Sequence, residues 1–212
     1  MTDNTQRTRR SAAAVRSTVA AAAAVLGLAS CGGGDNPLDN PTSLSNPPLT
    51  GNQRLAFAYF QRCVFPVFLA QLPIRLNGQT TINTCAASGC HDNTNGTGGA
   101  FRVIGNAQPI DLTNPANTAD IIKASDMYKN FYSAQGEVVF GSPLASRILA
   151  KPMVNGVLHG GGLVFESAQD PNARLLQYWI NNPAPSGQDE FSTATFRMFT
   201  PADPNTGACN TQ

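Results

Sequence analysis

Thr84-Cys85-Ala86-Ala87-Ser88-Gly89-Cys90-His91-Asp92 is the stretch around which the rest of the chain can be read. Two cysteines followed directly by a histidine is the arrangement by which a polypeptide holds haem covalently. Each sulfur adds to one vinyl group, and the adjacent imidazole reaches the iron from one face. The usual spacing leaves two residues between the cysteines. Here Ala86 to Gly89 intervene, all of them small, so the longer loop can lie against a flat macrocycle without a bulky side chain in the way. Gly89 adds backbone freedom for its path. The same residues admit a plainer reading, in which Cys85 and Cys90 close a small disulfide loop and His91 is an ordinary surface residue.

A chain of 212 residues suits one domain of ordinary size. Charged residues make up 13% of it, while Gly and Pro are plentiful, which fits a loop-rich exported protein better than a helical bundle. The formal charge is +1, but residues 1–30 hold Arg7, Arg9, Arg10 and Arg16 against Asp3 alone. Without them, ten basic residues (14 less 4) face twelve acidic ones (13 less 1), and no basic surface is left to argue for nucleic acid.

The N-terminus sets the expected compartment. An arginine-bearing start precedes Val19 to Leu28, an apolar run too short for a stable bilayer span. Residues 1–30 therefore read as a signal peptide. Its end, Leu28-Ala29-Ser30-Cys31, resembles the bacterial lipobox, which implies lipid on Cys31 as the first mature residue. An ordinary signal peptide cleaved nearby, or a short anchor left uncut, is the alternative. Gly32 after the cysteine leans toward the outer membrane, by analogy with enteric bacteria. Residues 31–50, polar and rich in turn formers, read as a flexible tether holding a folded domain, 51–212, off the bilayer. The expected location is thus the bacterial cell envelope, lipid-anchored and on the periplasmic side.

If Cys31 carries lipid and Cys85 and Cys90 carry haem, Cys63 and Cys209 remain to pair in an oxidising compartment. Cysteine counting does not choose between haem and a second disulfide, because a Cys85–Cys90 bond beside Cys63–Cys209 accounts for the same residues.

Along the domain, Asn52 to Val64 shows one apolar helical face, with Pro66 expected to end or kink the helix. Asn114-Pro115 and Ser142-Pro143 each place a capping residue before a proline, predicting helices over about 115–125 and 143–150. Tyr128, Phe131, Tyr132, Val138, Val139 and Phe140 offer surface to line a pocket. Asp170-Pro171 repeats the start signal, and Leu175, Leu176, Trp179 and Ile180 form an apolar stripe at helical spacing. Phe191, Phe196, Met198 and Phe199 suggest a short strand or strap before Cys209. The polar loop Asp92 to Gly99 lacks the spacing of a calcium-binding loop.

An electron carrier fills both axial positions of its iron. The only other histidine is His159, followed by Gly160-Gly161-Gly162, which let backbone pass close to a large flat ligand. His159 is the expected distal ligand, Met153 its alternative, with Met127 and Met198 behind. Methionine would raise the potential and a second histidine would lower it.

Cys85 to His91, the run Ser146-Arg147-Ile148-Leu149-Ala150-Lys151-Pro152 leading to His159-Gly160-Gly161-Gly162, and Leu175-Leu176-Gln177-Tyr178-Trp179-Ile180 together resemble the cytochrome c-type domains of planctomycetes and other environmental bacteria. The resemblance covers about residues 52–183. It implies a mostly α, compact, cytochrome c-like helical domain with long loops that holds one covalent haem c and transfers electrons. It departs from that pattern in the four-residue gap between the cysteines and in Asn181-Asn182-Pro183 after the Trp-Ile pair.

The expectation is a membrane-tethered monohaem cytochrome, meeting a redox partner protein or respiratory component. No nucleophile and base with a supporting third group is visible, so it reads as a carrier and not an enzyme. The alternative is a haem-free, disulfide-bonded envelope lipoprotein serving as a binding or structural module. A zinc site on Cys85, Cys90, His91 and His159 is a third reading.

Overall fold

The computed structural model describes residues 54–212. The expected signal peptide, lipidation site Cys31 and tether lie outside the described residues.

The described chain opens with one helical run in three pieces, α1 (Phe57–Tyr59), a π-helical turn (Phe60–Val64) and α2 (Phe65–Leu69). Pro66 does not end it. The proline sits in the first turn of α2, directly after the wider π turn, where its missing N–H is tolerated, and the helix continues to Leu69. Nor is the run amphipathic. Phe57, Tyr59, Phe60, Val64, Phe65 and Phe68 are all buried, so nearly every face of the segment meets protein. Even Gln61 is buried, its amide both donating to the Ile110 carbonyl (2.9 Å) and accepting from the Ile110 N–H (3.0 Å). That reciprocal pair satisfies the amide where water cannot.

Two short hairpins and four further helices surround this run. Strands β1 (Leu72–Leu76) and β2 (Gln79–Asn83) pair antiparallel from Leu72↔Asn83 to Leu76↔Gln79, across an Asn77-Gly78 turn. Helices α3 (Ala119–Ala124) and α4 (Asp126–Gln135) follow; Ser125 caps α4 by accepting from the Tyr128 N–H. A 3-10 turn (Pro143–Ala145) leads into α5 (Arg147–Ala150). In α6 (Pro171–Asn181) the Asp170 carboxylate accepts from the N–H groups of Asn172 and Ala173, the capping expected of Asp-Pro at a helix start. Strands β3 (Phe199–Thr200) and β4 (Ala208–Cys209) close the chain.

The core joins these pieces through Trp179, which is fully buried. Its indole N–H donates to the Ala56 carbonyl at 3.0 Å, and its ring packs on Phe60 with centroids 5.4 Å apart. Phe131 of α4 completes the cluster edge-on to Phe57 and Phe60. Burial on this scale contributes about 1.5–3 kcal/mol per large side chain relative to leaving it exposed.

The expectation of a mostly α, compact cytochrome c-like helical fold is overturned. The described region is a mixture of α and β, with helices of 3 to 11 residues and two small antiparallel sheets. The physical reason lies in the connections. Glycine- and proline-rich loops leave room for only short helices, and Leu72 to Asn83, with its Asn-Gly turn, forms a ladder instead of extending the first helix.

Cys63, in the π turn, is disulfide-bonded to Cys209 of β4, with Cα atoms 5.9 Å apart across a sequence separation of 146. Beside this bond, the Tyr59 hydroxyl donates to the Asn210 carbonyl and Arg62 Nε donates to the Gly207 carbonyl (2.8 Å). The C-terminal tail is thereby fixed to the first helical run.

Candidate haem site

The Cys85–His91 loop is wound by its own backbone. Ala87 N donates to the Thr84 carbonyl, Cys90 N to the Ala87 carbonyl, and His91 N to the Cys85 carbonyl at 2.9 Å. The two extra residues between the cysteines are taken up in these turns, so Cys85 and Cys90 line the same cavity as His91. Neither cysteine is disulfide-bonded. Burial, with Cys90 as its neighbour, pushes the Cys85 thiol up to about 12, so it remains a protonated thiol at neutral pH.

His159 enters this cavity from the other side of the chain. Its loop is closed at the base by the Pro152 carbonyl, which accepts from Val164 N (2.7 Å) and Phe165 N (3.2 Å). The loop is also tied to the first hairpin: Arg75 and Leu163 exchange backbone hydrogen bonds at 2.8 and 2.9 Å, and Arg75 pairs with Glu166 at the surface (2.7 Å). Gly162 makes this approach possible. It has φ +87°, and a Cβ there would lie 2.4 Å from the Arg75 carbonyl oxygen.

The rings of His91 and His159 lie with centroids 6.2 Å apart and planes 10° from parallel. Each ring is held through Nδ1, that of His91 by the Phe101 carbonyl (3.1 Å) and that of His159 by the Gly162 carbonyl (2.7 Å). A carbonyl can only accept, so Nδ1 carries the proton in both rings and Nε2 keeps its lone pair. This is the orientation that a metal-binding histidine receives from its supporting shell. Burial pushes His91 down to about 4, aided by the Arg102 and Lys151 cations and by the repulsion a protonated His159 would exert, and burial depresses His159 as well. Both imidazoles are therefore neutral at pH 7. Gly98 backs the first ring so closely that a Cβ would meet His91 at 2.5 Å.

An imidazole nitrogen sits about 1 Å from its ring centre and binds a first-row metal at about 2 Å. Two histidines on opposite faces of one ion thus have centres about 6 Å apart. The 6.2 Å separation matches that span. The remaining walls suit a flat apolar ring, with Phe68, Leu72, Ile74, Val164 and Leu176 contributing.

Of the other expected residues, Met153 packs against the core and does not line the cavity. Met127 and Met198 are core residues, 0% and 1% exposed. The aromatic run does not line the cavity either: Tyr132 is exposed, while Tyr128 and Phe131 pack on Phe57. Glu137, Arg147 and Lys151 do line it; Arg147 and Lys151 lie in the Ser146–Pro152 run that carries the resemblance, but the sequence assigned none of the three a role. Among the described residues no three or more His, Cys, Asp or Glu side chains converge on a point, so the four-ligand zinc reading has no geometry to rest on. No described helix is long and apolar enough to cross a membrane.

Comparison of the chain with protein-family models, curated proteins and solved structures finds no match.

Proposed function

We propose that the chain is a single-haem c-type electron carrier of the cell envelope. The observation that carries this reading is the near-parallel His91–His159 pair, 6.2 Å between ring centres, in one cavity with the unpaired Cys85 and Cys90. The mixed fold does not oppose it, because haem attachment belongs to a site and not to an architecture.

Cys85 and Cys90 provide the covalent hold. Each S–H would add across a vinyl C=C of a bound haem, sulfur to one carbon and hydrogen to the other, with nothing released. His91 and His159 would hold the iron, the first next to the attachment cysteines and the second from across the cavity, each oriented by a backbone carbonyl on its Nδ1. Bound haem supplies a site that takes up and gives back one electron at iron. With His91 and His159 both engaged, the site would favour electron transfer over ligand chemistry. The apolar walls exclude water and so help set the potential. One electron arrives from a donor and leaves to an acceptor, each a redox partner protein or respiratory component. The lipobox-like Leu28–Cys31 segment and the polar stretch after it support delivery on a lipid anchor at the periplasmic face, leaning to the outer membrane.

The test is the visible spectrum of the exported chain, made with a haem-attachment system, before and after acid-acetone extraction under denaturing conditions. Colour that stays with the polypeptide and a mass increase of one haem are expected. A colourless protein of unmodified mass would replace this reading with the haem-free envelope module.

A further inference from the structure

The charged residues among those lining the cavity are Glu137, Arg147 and Lys151. Arg147 and Glu137 form an ion pair, Nε to Oε2 at 3.3 Å, with side chains 8% and 11% exposed. One carboxylate therefore faces two cations, and this wall carries an excess of one positive charge. In a chain with only 13% charged residues, a second cation against an apolar cavity is not filler. It costs desolvation energy that a partner must offset. Among the described residues no carboxylate makes an ion pair with Lys151. Burial and the adjacent Arg147 guanidinium both depress its ammonium, with Glu137 acting the other way.

We propose that Lys151, beside the Arg147–Glu137 pair, is where this cavity holds a carboxylate of its ligand. The inference rests on the haem reading and deepens it. Haem is an apolar macrocycle with two carboxylates on one edge, and the cavity offers apolar walls with its surplus positive charge confined to α5 and the residue that follows it. Lys151 thus selects which edge of the ring meets that wall and leaves the vinyl-bearing part to Cys85 and Cys90. It is a positioning residue.

The experiment uses the full chain made without haem-attachment machinery, titrated with ferric protoporphyrin IX and separately with its dimethyl ester. The wild-type chain is expected to bind the diacid about tenfold or more tightly than the ester, as for one charge-assisted hydrogen bond. Lys151→Met should bring that ratio close to one, and Lys151→Arg should restore it. Low-spin spectra of both complexes report whether His91 and His159 still ligate. Equal binding of acid and ester by wild type, with low-spin spectra, would overturn the carboxylate anchor and leave the haem reading standing. A ratio unchanged in Lys151→Met would also overturn it. Binding of neither porphyrin would overturn the haem reading, and the anchor with it.

Discussion

His91 and His159 stand 68 positions apart in sequence, yet their rings lie 10° from parallel with centres 6.2 Å apart. Each is fixed by a single backbone carbonyl on Nδ1, Phe101 for one and Gly162 for the other. The backbone itself thus orients both rings. Little ordering remains to be done on binding, which favours affinity.

The distal ring is the side to vary. His159→Met should keep a six-coordinate haem but raise the midpoint potential by on the order of 100 mV, part of the roughly 0.8 V that axial ligands span. Potentiometric titration of wild type and variant reads this directly. An unchanged potential and spectrum would exclude His159 from the iron.

Gly98→Ala places a methyl 2.5 Å from the His91 ring and 2.8 Å from the Cys90 carbonyl. The backbone cannot give way cheaply there, so a loss of about 1–3 kcal/mol in urea denaturation is expected. The low-spin spectrum of the haem-loaded form should be perturbed as well. Gly99→Ala, with nothing within 4 Å of its Cβ but φ +82°, should cost backbone strain while leaving His91 undisturbed.

Removing the Cys63–Cys209 bond by paired serine substitution should cost about 2–5 kcal/mol, visible as a lowered Tm, because the bond closes a long loop. The contrasting pair, Cys85→Ser with Cys90→Ser, should leave that disulfide intact and release haem into acid acetone.

In the haem-free protein, stability should fall as pH drops. His91 titrates near 4 when folded and near 6.5 when unfolded, so between these values the unfolded chain binds more protons. Stability is then fully present above about pH 6.5 and declines toward pH 4, with a slope of at most about 1.4 kcal/mol per pH unit from this group. His159 adds in the same direction. Denaturation midpoints at pH 7 and pH 5 test it, and His91→Gln should flatten the difference.

Local signals announced some of this structure and not the rest. Asp170-Pro171 opened α6 as written, since a cap depends on adjacent residues alone. Ser125, placed at the end of a helix, instead caps the next one, and α4 was hidden because its aromatic residues suggested a pocket. Met127, Phe131 and Ala134 in fact repeat at helical spacing and enter the core. The first hairpin escaped notice because β2 is almost wholly exposed and offers no alternation of apolar and polar residues, although Asn77-Gly78 marked its turn. Cys85, Cys90, His91 and His159 were picked out by their chemistry, and they line one cavity. Glu137, Arg147 and Lys151 were not picked out, since which charged side chains share a cavity is decided by the fold.

The two jaws of the site differ in stiffness. The His91 loop is stitched to Val103, which is 0% exposed, through Val103 N to the His91 carbonyl (2.7 Å) and Asn93 N to the Val103 carbonyl (3.0 Å). The His159 loop is stitched to Arg75 on a largely exposed hairpin, and its neighbour Leu158 is 88% exposed. Exposed ladders open at lower free energy than buried ones. Any breathing of the cavity is therefore expected at the His159 jaw, with the His91 loop as its fixed reference. Under the proposed haem reading, His159 is the side that would leave the iron first, on the hinge that the hairpin provides.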